Sequence, residues 1–202
     1  MYGQADSGEP ARTAVSKRAL RKEIIAARRS MGGEARTAAA TAVTEALLAH
    51  PWLTEATTVA AYVSIGTEPD TRALLERLRR RSVTVLLPVL LADADLDWAS
   101  YEGPASLEPG AGGLPEPAGT RLGVHAIRGV DVAVVPALAV DQRGVRLGRG
   151  GGSYDRVLAR FSGGTRTAVP LYEGELVAAV PAEPHDRRVR AVVTPLDGVR
   201  EL

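Results

Sequence analysis

The first regular pattern along the chain begins at Ser16. Beyond it, Leu20, Ile24 and Ile25 recur at helical spacing among basic residues. This predicts an amphipathic helix through Lys17-Arg-Ala-Leu-Arg-Lys-Glu-Ile-Ile-Ala-Ala-Arg-Arg, with Ser16 as its cap. Residues 1–15 are polar, aperiodic and contain Gly and Pro, so they are expected to form a disordered lead-in. Gly32-Gly33 interrupts the pattern, and an Ala-rich second helix over roughly 34–49 stops before Pro51. The period then shortens. Thr58–Val63, Val83–Leu87, Leu96–Tyr101, Val130–Val135, Thr165–Pro170 and Val189–Val193 read as strands. Of these, Leu96–Tyr101 suits a sheet edge, Pro88 is expected to end the strand before it, and Val189–Val193 is expected to be the last. Further helices are predicted from Asp70 or Thr71 through Leu78, and from Tyr154 to Phe161. Strands alternating with helices predict a layered α/β/α domain with a mostly parallel central sheet, one domain over 16–202. Residues 102–124 hold many Gly and Pro and read as a long loop, a length more often functional or mobile than idle.

Composition narrows the class. The chain has 202 residues, of which 45% are hydrophobic and 24% charged, as in an ordinary globular protein. Only 4% are aromatic, so the core must rest on Ala, Val and Leu. A formal net charge of +1 gives no whole-molecule attraction to nucleic acid, and a small anion would need a local patch. Without cysteine there is no disulfide scaffold, thiolate metal site or cysteine nucleophile, which fits a reducing compartment. No apolar run nears the roughly 20 residues of a membrane span. The first ten residues lack a basic start followed by an apolar stretch, so no signal peptide is expected and the cytoplasm is the expected location.

The chemistry concentrates in Arg146-Leu-Gly-Arg-Gly-Gly-Gly-Ser-Tyr-Asp155. Gly148, Gly150, Gly151 and Gly152 let backbone N–H groups approach an anion closely. The helix start adds orphan donors and a partial positive charge, and Arg146 and Arg149 add bidentate contacts. A flexible surface turn is the alternative. The segment is neither a Walker loop, since Lys17 and Lys22 lie far from it, nor a dinucleotide fingerprint, since Asp141–Arg146 separates strand from loop. Asp155 follows the glycines directly. A carboxylate among phosphates calls for a cation, and Mg²⁺ is the natural one, although a first-turn carboxylate favoured by the helix dipole is also consistent. Locally, Asp186 in Pro184-His-Asp-Arg fits a surface turn equally well. His50, His125 and His185 are scattered and receive no role.

The stretch from Val135 to Arg156 closely resembles the main motif of the 5-formyltetrahydrofolate cyclo-ligases. Lys17-Arg-Ala-Leu-Arg21, Ser64-Ile-Gly-Thr-Glu68-Pro-Asp-Thr71, and Pro184-His-Asp186 with Val192-Val-Thr-Pro195 resemble further segments of that family in the same order. The likeness spans roughly 16–196. It implies an enzyme using ATP and Mg²⁺ to convert 5-formyltetrahydrofolate, polyglutamylated forms included, to 5,10-methenyltetrahydrofolate. In that chemistry ATP phosphorylates the formyl oxygen, N10 attacks the activated carbon and phosphate leaves, so positioning and charge neutralisation carry the work.

By position, the resemblance assigns Lys17, Arg21, Arg146, Gly148, Arg149, Gly150, Gly151, Gly152 and Tyr154 to ATP, and Asp155 and Asp186 to Mg²⁺. It assigns Val63, Glu68, Trp98 and Tyr154 to the folate, with Tyr154 near the formyl group and Tyr154 and Arg149 as the catalytic pair. Glu68 could accept two parallel N–H bonds from an aminopyrimidine edge, and Trp98 could equally be core. The expected partner is a small molecule, not nucleic acid or membrane, and the expected state a monomer or weak homodimer. One departure stands out. Where the family carries an aromatic, this chain has Ser153, losing a ring surface of about 1–3 kcal/mol if buried against ligand. A second reading follows from it: a folate- or nucleotide-binding paralogue with little or no turnover. A third, a different α/β enzyme acting on a phosphorylated substrate without ATP, rests on the fold alone.

Overall fold

The structure is a computed structural model describing residues 16–183 and 186–202, so the predicted lead-in over 1–15 lies outside the described residues, as do Pro184 and His185. Ser16 caps helix α1 (Lys17–Ser30), its hydroxyl accepting the Ala19 N–H at 3.2 Å. The helical run breaks just before the glycine pair: Gly32 caps helix α2 (Gly33–Ala49) and Gly33 is its first residue. Pro51 then opens the short helix α3 (Pro51–Thr54), where its missing N–H costs nothing.

The remaining elements alternate largely as the sequence pattern predicts. They are β1 (Thr58–Ala60), α4 (Arg72–Arg80, capped by Thr71), β2 (Thr84–Leu90), β3 (Leu96–Ser100), β4 (Leu107–Pro109), β5 (Pro115–Pro117), β6 (Val132–Val134), β7 (Ala139–Asp141) and β8 (Arg146–Leu147). After them come α5 (Ser153–Arg160), β9 (Arg166–Pro170), β10 (Leu176–Val177), β11 (Ala191–Thr194) and β12 (Gly198–Glu201). The main sheet has seven strands in the order β12-β11-β9-β6-β1-β2-β3. Its five inner strands are parallel, and β3 and β12 pair antiparallel at the two edges.

Period-two alternation sends neighbours to opposite faces of this sheet. Val59, Val132, Val134 and Val193 pack beneath α2, α3 and α4 with Leu47, Leu53, Leu74 and Leu78. Ala60, Ala133, Val135 and Val192 pack on the other face with Val157 of α5. A smaller cluster joins Ile24 and Leu20 of α1 to Leu138, Val145 and Leu147, beside a second sheet of order β10-β7-β8.

Several expectations are corrected here. The run Thr58–Val63 stays in the sheet only to Ala60, after which Tyr62 and Val63 leave it to line a cavity. Pro88 does not end β2, because the pairing with β1 is already over at Leu86 and no inner neighbour needs the missing N–H. Val189–Val193 is not the last strand, since β12 folds back onto β11. The segment 102–124 is not structureless: it holds the β4–β5 hairpin and short 3-10 turns.

Candidate active site

The hairpin of β7 and β8 aims Arg146 at the glycine loop. Asp141, fully buried, closes its turn by accepting the Arg143 and Val145 N–H groups at 2.9 and 3.0 Å, and it also accepts the Val180 N–H at 3.1 Å. Burial alone would raise the Asp141 carboxyl, but Arg143 and these backbone donors outweigh it and hold the group below the ordinary carboxylate value. Gly144 within the turn has φ +79, and a Cβ there would meet the Val189 carbonyl at 2.4 Å, so only glycine fits.

From β8 the chain enters the glycine loop and then α5. Gly150 and Gly152 take φ +104 and +71, with Gly152 as the left-handed cap of the helix. Arg146 is buried and donates to Asp155 Oδ1 at 2.9 Å, while its guanidinium lies 5.9 Å from the centre of the Tyr154 ring. Helix α1 supplies the facing side. Arg21 donates its Nε–H to the Gly148 carbonyl at 2.8 Å, and Lys17 contacts Asp186 at 2.8 Å and Glu183 at 2.9 Å. Lys17 is pushed above the ordinary lysine value: burial works against the charge, but the two carboxylates more than offset it.

These groups form one end of a cavity of about 390 Å³. The rest of its lining is mostly apolar, with Val63, Ile65, Leu90, Leu96, Leu114 and Leu138, and includes the carboxylates of Glu68 and Glu116. Glu68 is held from two sides. One of its oxygens accepts the Ile65 N–H at 3.0 Å and the other meets Arg149 at 3.1 Å, bridging the glycine loop to the apolar side. Among the described residues, four buried side-chain polar atoms lack a hydrogen-bond partner, and two of them, Arg146 Nε and the Tyr154 hydroxyl, belong to residues lining this cavity. Such atoms are costly to leave unmet. Burial pushes the Tyr154 phenol far above its ordinary value; the Glu68 charge adds to this and Arg146 opposes it, so the phenol stays protonated and can donate.

The cavity therefore gathers Lys17, Arg21, Val63, Glu68, Arg146, Gly148, Arg149, Gly150, Gly151, Gly152, Tyr154, Asp155 and Asp186. Trp98 is the exception. It lies in β3 with 1% of its surface exposed, packed in the core on the α5 side of the sheet, and it does not line the cavity. Leu96, two residues earlier on the same strand face, reaches the wall in its place. Sequence reasoning did not single out Tyr62, Glu116 or Glu183, which also line the cavity. Glu116 is buried and accepts the Leu90 N–H at 3.0 Å, joining the β4–β5 hairpin to β2. Its signal was a carboxylate held between Pro115 and Pro117.

Among the described residues no cluster of three or more His, Cys, Asp or Glu side chains could hold a metal alone. Asp155 and Asp186 nonetheless line the same cavity as the glycine loop, where Asp155 pairs with Arg146 at 2.9 Å and Asp186 with Lys17 at 2.8 Å, so a hard cation there would take the place of those partners. No helix among the described residues is long and apolar enough to cross a membrane.

Fold and cavity define a layered α/β protein whose arginine-flanked glycine loop lines a largely apolar cavity. The chain belongs to the 5-formyltetrahydrofolate cyclo-ligase family, whose model matches residues 13–195. It is 38% identical over 196 residues to a 5-formyltetrahydrofolate cyclo-ligase of Mycolicibacterium smegmatis, covering 93% of this chain and 97% of that one. It is 34% identical over 152 residues to the Escherichia coli enzyme of the same name, covering 74% and 84% of the two chains. The NMR structure of Aquifex aeolicus 5,10-methenyltetrahydrofolate synthetase superposes with a TM-score of 0.79 at 29% identity, covering 92% of each chain.

Proposed function

We propose that this protein converts 5-formyltetrahydrofolate to 5,10-methenyltetrahydrofolate at the expense of ATP, releasing ADP and phosphate. The observation that carries this reading is one cavity lined by the glycine loop with its arginines, by a set of apolar side chains, and by Glu68, which pairs with Arg149. The γ-phosphoryl group of ATP supplies the activation: it passes to the formyl oxygen, N10 closes on the formyl carbon with loss of its proton, and the oxygen departs as phosphate.

The protein's own residues position and neutralise. Lys17, Arg21 and Arg146, with the N–H groups of Gly150 to Gly152 at the α5 terminus, bind the phosphates. Gly148 gives its carbonyl to Arg21 and so fixes the loop against α1. Arg149, half-exposed, leaves Glu68 for the transferring phosphoryl group when both substrates bind. Glu68 then accepts the N–H edge of the pterin, Val63 packs against that ring, and the protonated Tyr154 donates to the formyl region. Asp155 and Asp186 are the residues that would hold Mg²⁺, whose charge would offset that of the phosphates. We place the enzyme in the cytoplasm, as a monomer or weak homodimer acting on a small molecule, a reading that suits a cysteine-free chain of net charge +1.

The alternative of a binding paralogue without turnover rests on Ser153 alone and is not favoured beside relatives named as cyclo-ligases along nearly the whole chain. Purified protein given 5-formyltetrahydrofolate and Mg-ATP is expected to form the methenyl chromophore together with stoichiometric ADP. If neither product accumulates, the reading is wrong.

A further inference from the structure

Ser153 opens α5 directly after the glycine loop and lines the cavity, but its hydroxyl is not left for the ligand. It donates to the Ala94 carbonyl at 2.6 Å. Ala94 lies in the turn joining β2 to β3, where Leu91 N–H meets the Asp95 carbonyl at 2.9 Å and Ala94 N–H meets the Leu91 carbonyl at 3.0 Å. Its φ of +61 is left-handed, a conformation an alanine keeps only when its surroundings impose it. The hairpin loop itself supplies them, since a turn closed by Leu91 and Ala94 and followed by one left-handed residue is a common way to join two strands; α5 then grips that residue from outside. The Ala94 carbonyl also receives the Arg156 guanidinium, and next to it Asp95 receives Arg160, with 2.7 Å to Oδ1. Ser153, Arg156 and Arg160 are spaced to share one helix face, and all three close on this one turn. The residues that flank the turn, Leu90 and Leu96, are wall residues of the cavity.

We propose that Ser153 is a positioning residue that fastens the β2–β3 hairpin to the phosphate loop, so that the apolar folate wall and the glycine loop keep one register. The proposal rests on the functional reading above and deepens it, making the wall and the loop a single unit rather than two surfaces that happen to meet. The serine is used for its short hydroxyl. An aromatic side chain at 153 has no donor near Cβ and cannot make the bond to Ala94. On this account Ser153 is not a defect in the site, and restoring a ring does not improve it.

The test compares wild-type protein with Ser153→Ala, Ser153→Thr and Ser153→Tyr by steady-state kinetics and by native-state amide hydrogen exchange. The bond shapes the site before either substrate arrives, so its loss falls on binding. Ser153→Ala is expected to raise KM for 5-formyltetrahydrofolate and for ATP by about three- to tenfold while kcat moves by less than about twofold. Ser153→Thr, which keeps the hydroxyl, recovers most of that loss. Ser153→Tyr falls at or below Ser153→Ala in kcat/KM. Amides of residues 91–96 exchange faster in Ser153→Ala, while those of α2 do not change.

Wild-type KM values and wild-type exchange in Ser153→Ala would overturn the proposal, as would a gain of activity in Ser153→Tyr. Faster exchange across the whole chain would also overturn it, by reducing the role to general stability. A wild-type protein that binds both ligands but does not turn over defeats the functional reading, while the exchange comparison still decides whether the lock exists.

Discussion

Glu68 and Tyr154 carry opposite burdens within the same cavity. Glu68 spends one oxygen on the Ile65 N–H and the other on Arg149, a half-exposed partner able to move away. A carboxylate held this way is ready to exchange one N–H donor for another, at little cost in desolvation. Glu68→Gln replaces an acceptor oxygen with an amide donor and removes the charge. It is expected to raise KM for the folate by about 10- to 100-fold and KM for ATP far less, which initial-rate measurements at varied concentrations of each substrate would separate. Tyr154 instead has a hydroxyl with no hydrogen-bond partner among the described residues, pushed by burial and by the nearby Glu68 charge to hold its proton. Tyr154→Phe is therefore expected to lower kcat/KM by about 10-fold or more without loss of folding. In the wild-type enzyme the pH–rate profile should show no alkaline limb from this phenol below about pH 10, the ordinary tyrosine value. A limb present in wild type and absent in Tyr154→Phe would count against the assigned proton state.

At the scale of elements, α1 acts as a lever. Lys17, Arg21, Ile24 and Arg28 share one stripe, the first two reaching the cavity and the last two fixing the helix. Arg28 is buried and pairs with Glu175 at 2.6 and 2.8 Å, donates to the Ala137 carbonyl at 2.9 Å, and lies 5.5 Å from the Tyr172 ring centre. Breaking such a pair leaves a charge buried without its partner. Arg28→Met and Glu175→Gln should each destabilise the fold by about 3–5 kcal/mol, and the double variant by less than the sum, as measured by urea unfolding. Surviving Arg28→Met protein should also bind ATP more weakly, because Lys17 and Arg21 lose their fixed approach.

The α1 helix and its apolar face were readable from periodicity, whereas nothing in the sequence singles out Arg28, since its partner lies 147 positions away. The inner strands were readable for the same reason as α1: Val132 to Val135 alternate between two cores and are apolar on both. By contrast β7, β8 and β10 are not marked by such an apolar run, and they are defined by Asp141, which closes the β7–β8 turn and accepts the Val180 N–H beyond β10. Trp98 looked equally suited to pocket or core, and only the depth of its strand decided between them.

Across the whole molecule, three aspartates tie together segments distant in the chain, and their protonation should set the acid limit of the fold. Asp131 accepts the N–H groups of Thr58 and Thr57 at 3.0 and 2.8 Å, joining the start of β6 to that of β1. Asp95, through Arg160, joins the β2–β3 turn to α5, and Asp141 joins the β7–β8 hairpin to Val180. All three are held below the ordinary aspartate value: Asp131 chiefly by the Thr58 and Thr57 amides, Asp95 chiefly by Arg160, and Asp141 by Arg143 and backbone donors against its burial. A carboxylate depressed in the folded state binds fewer protons there than in the unfolded chain. Its contribution is therefore complete above the unfolded value of about 4 and disappears as pH falls through the folded values. The urea midpoint should be nearly level from about pH 7 to 5 and drop steeply below about pH 4. Asp131→Asn should be less stable than wild type at neutral pH yet lose less on acidification, because the linkage it removes is the one that titrates. Parallel midpoint curves for the two proteins between pH 5 and 2.5, offset but equal in slope, would place the acid limit elsewhere.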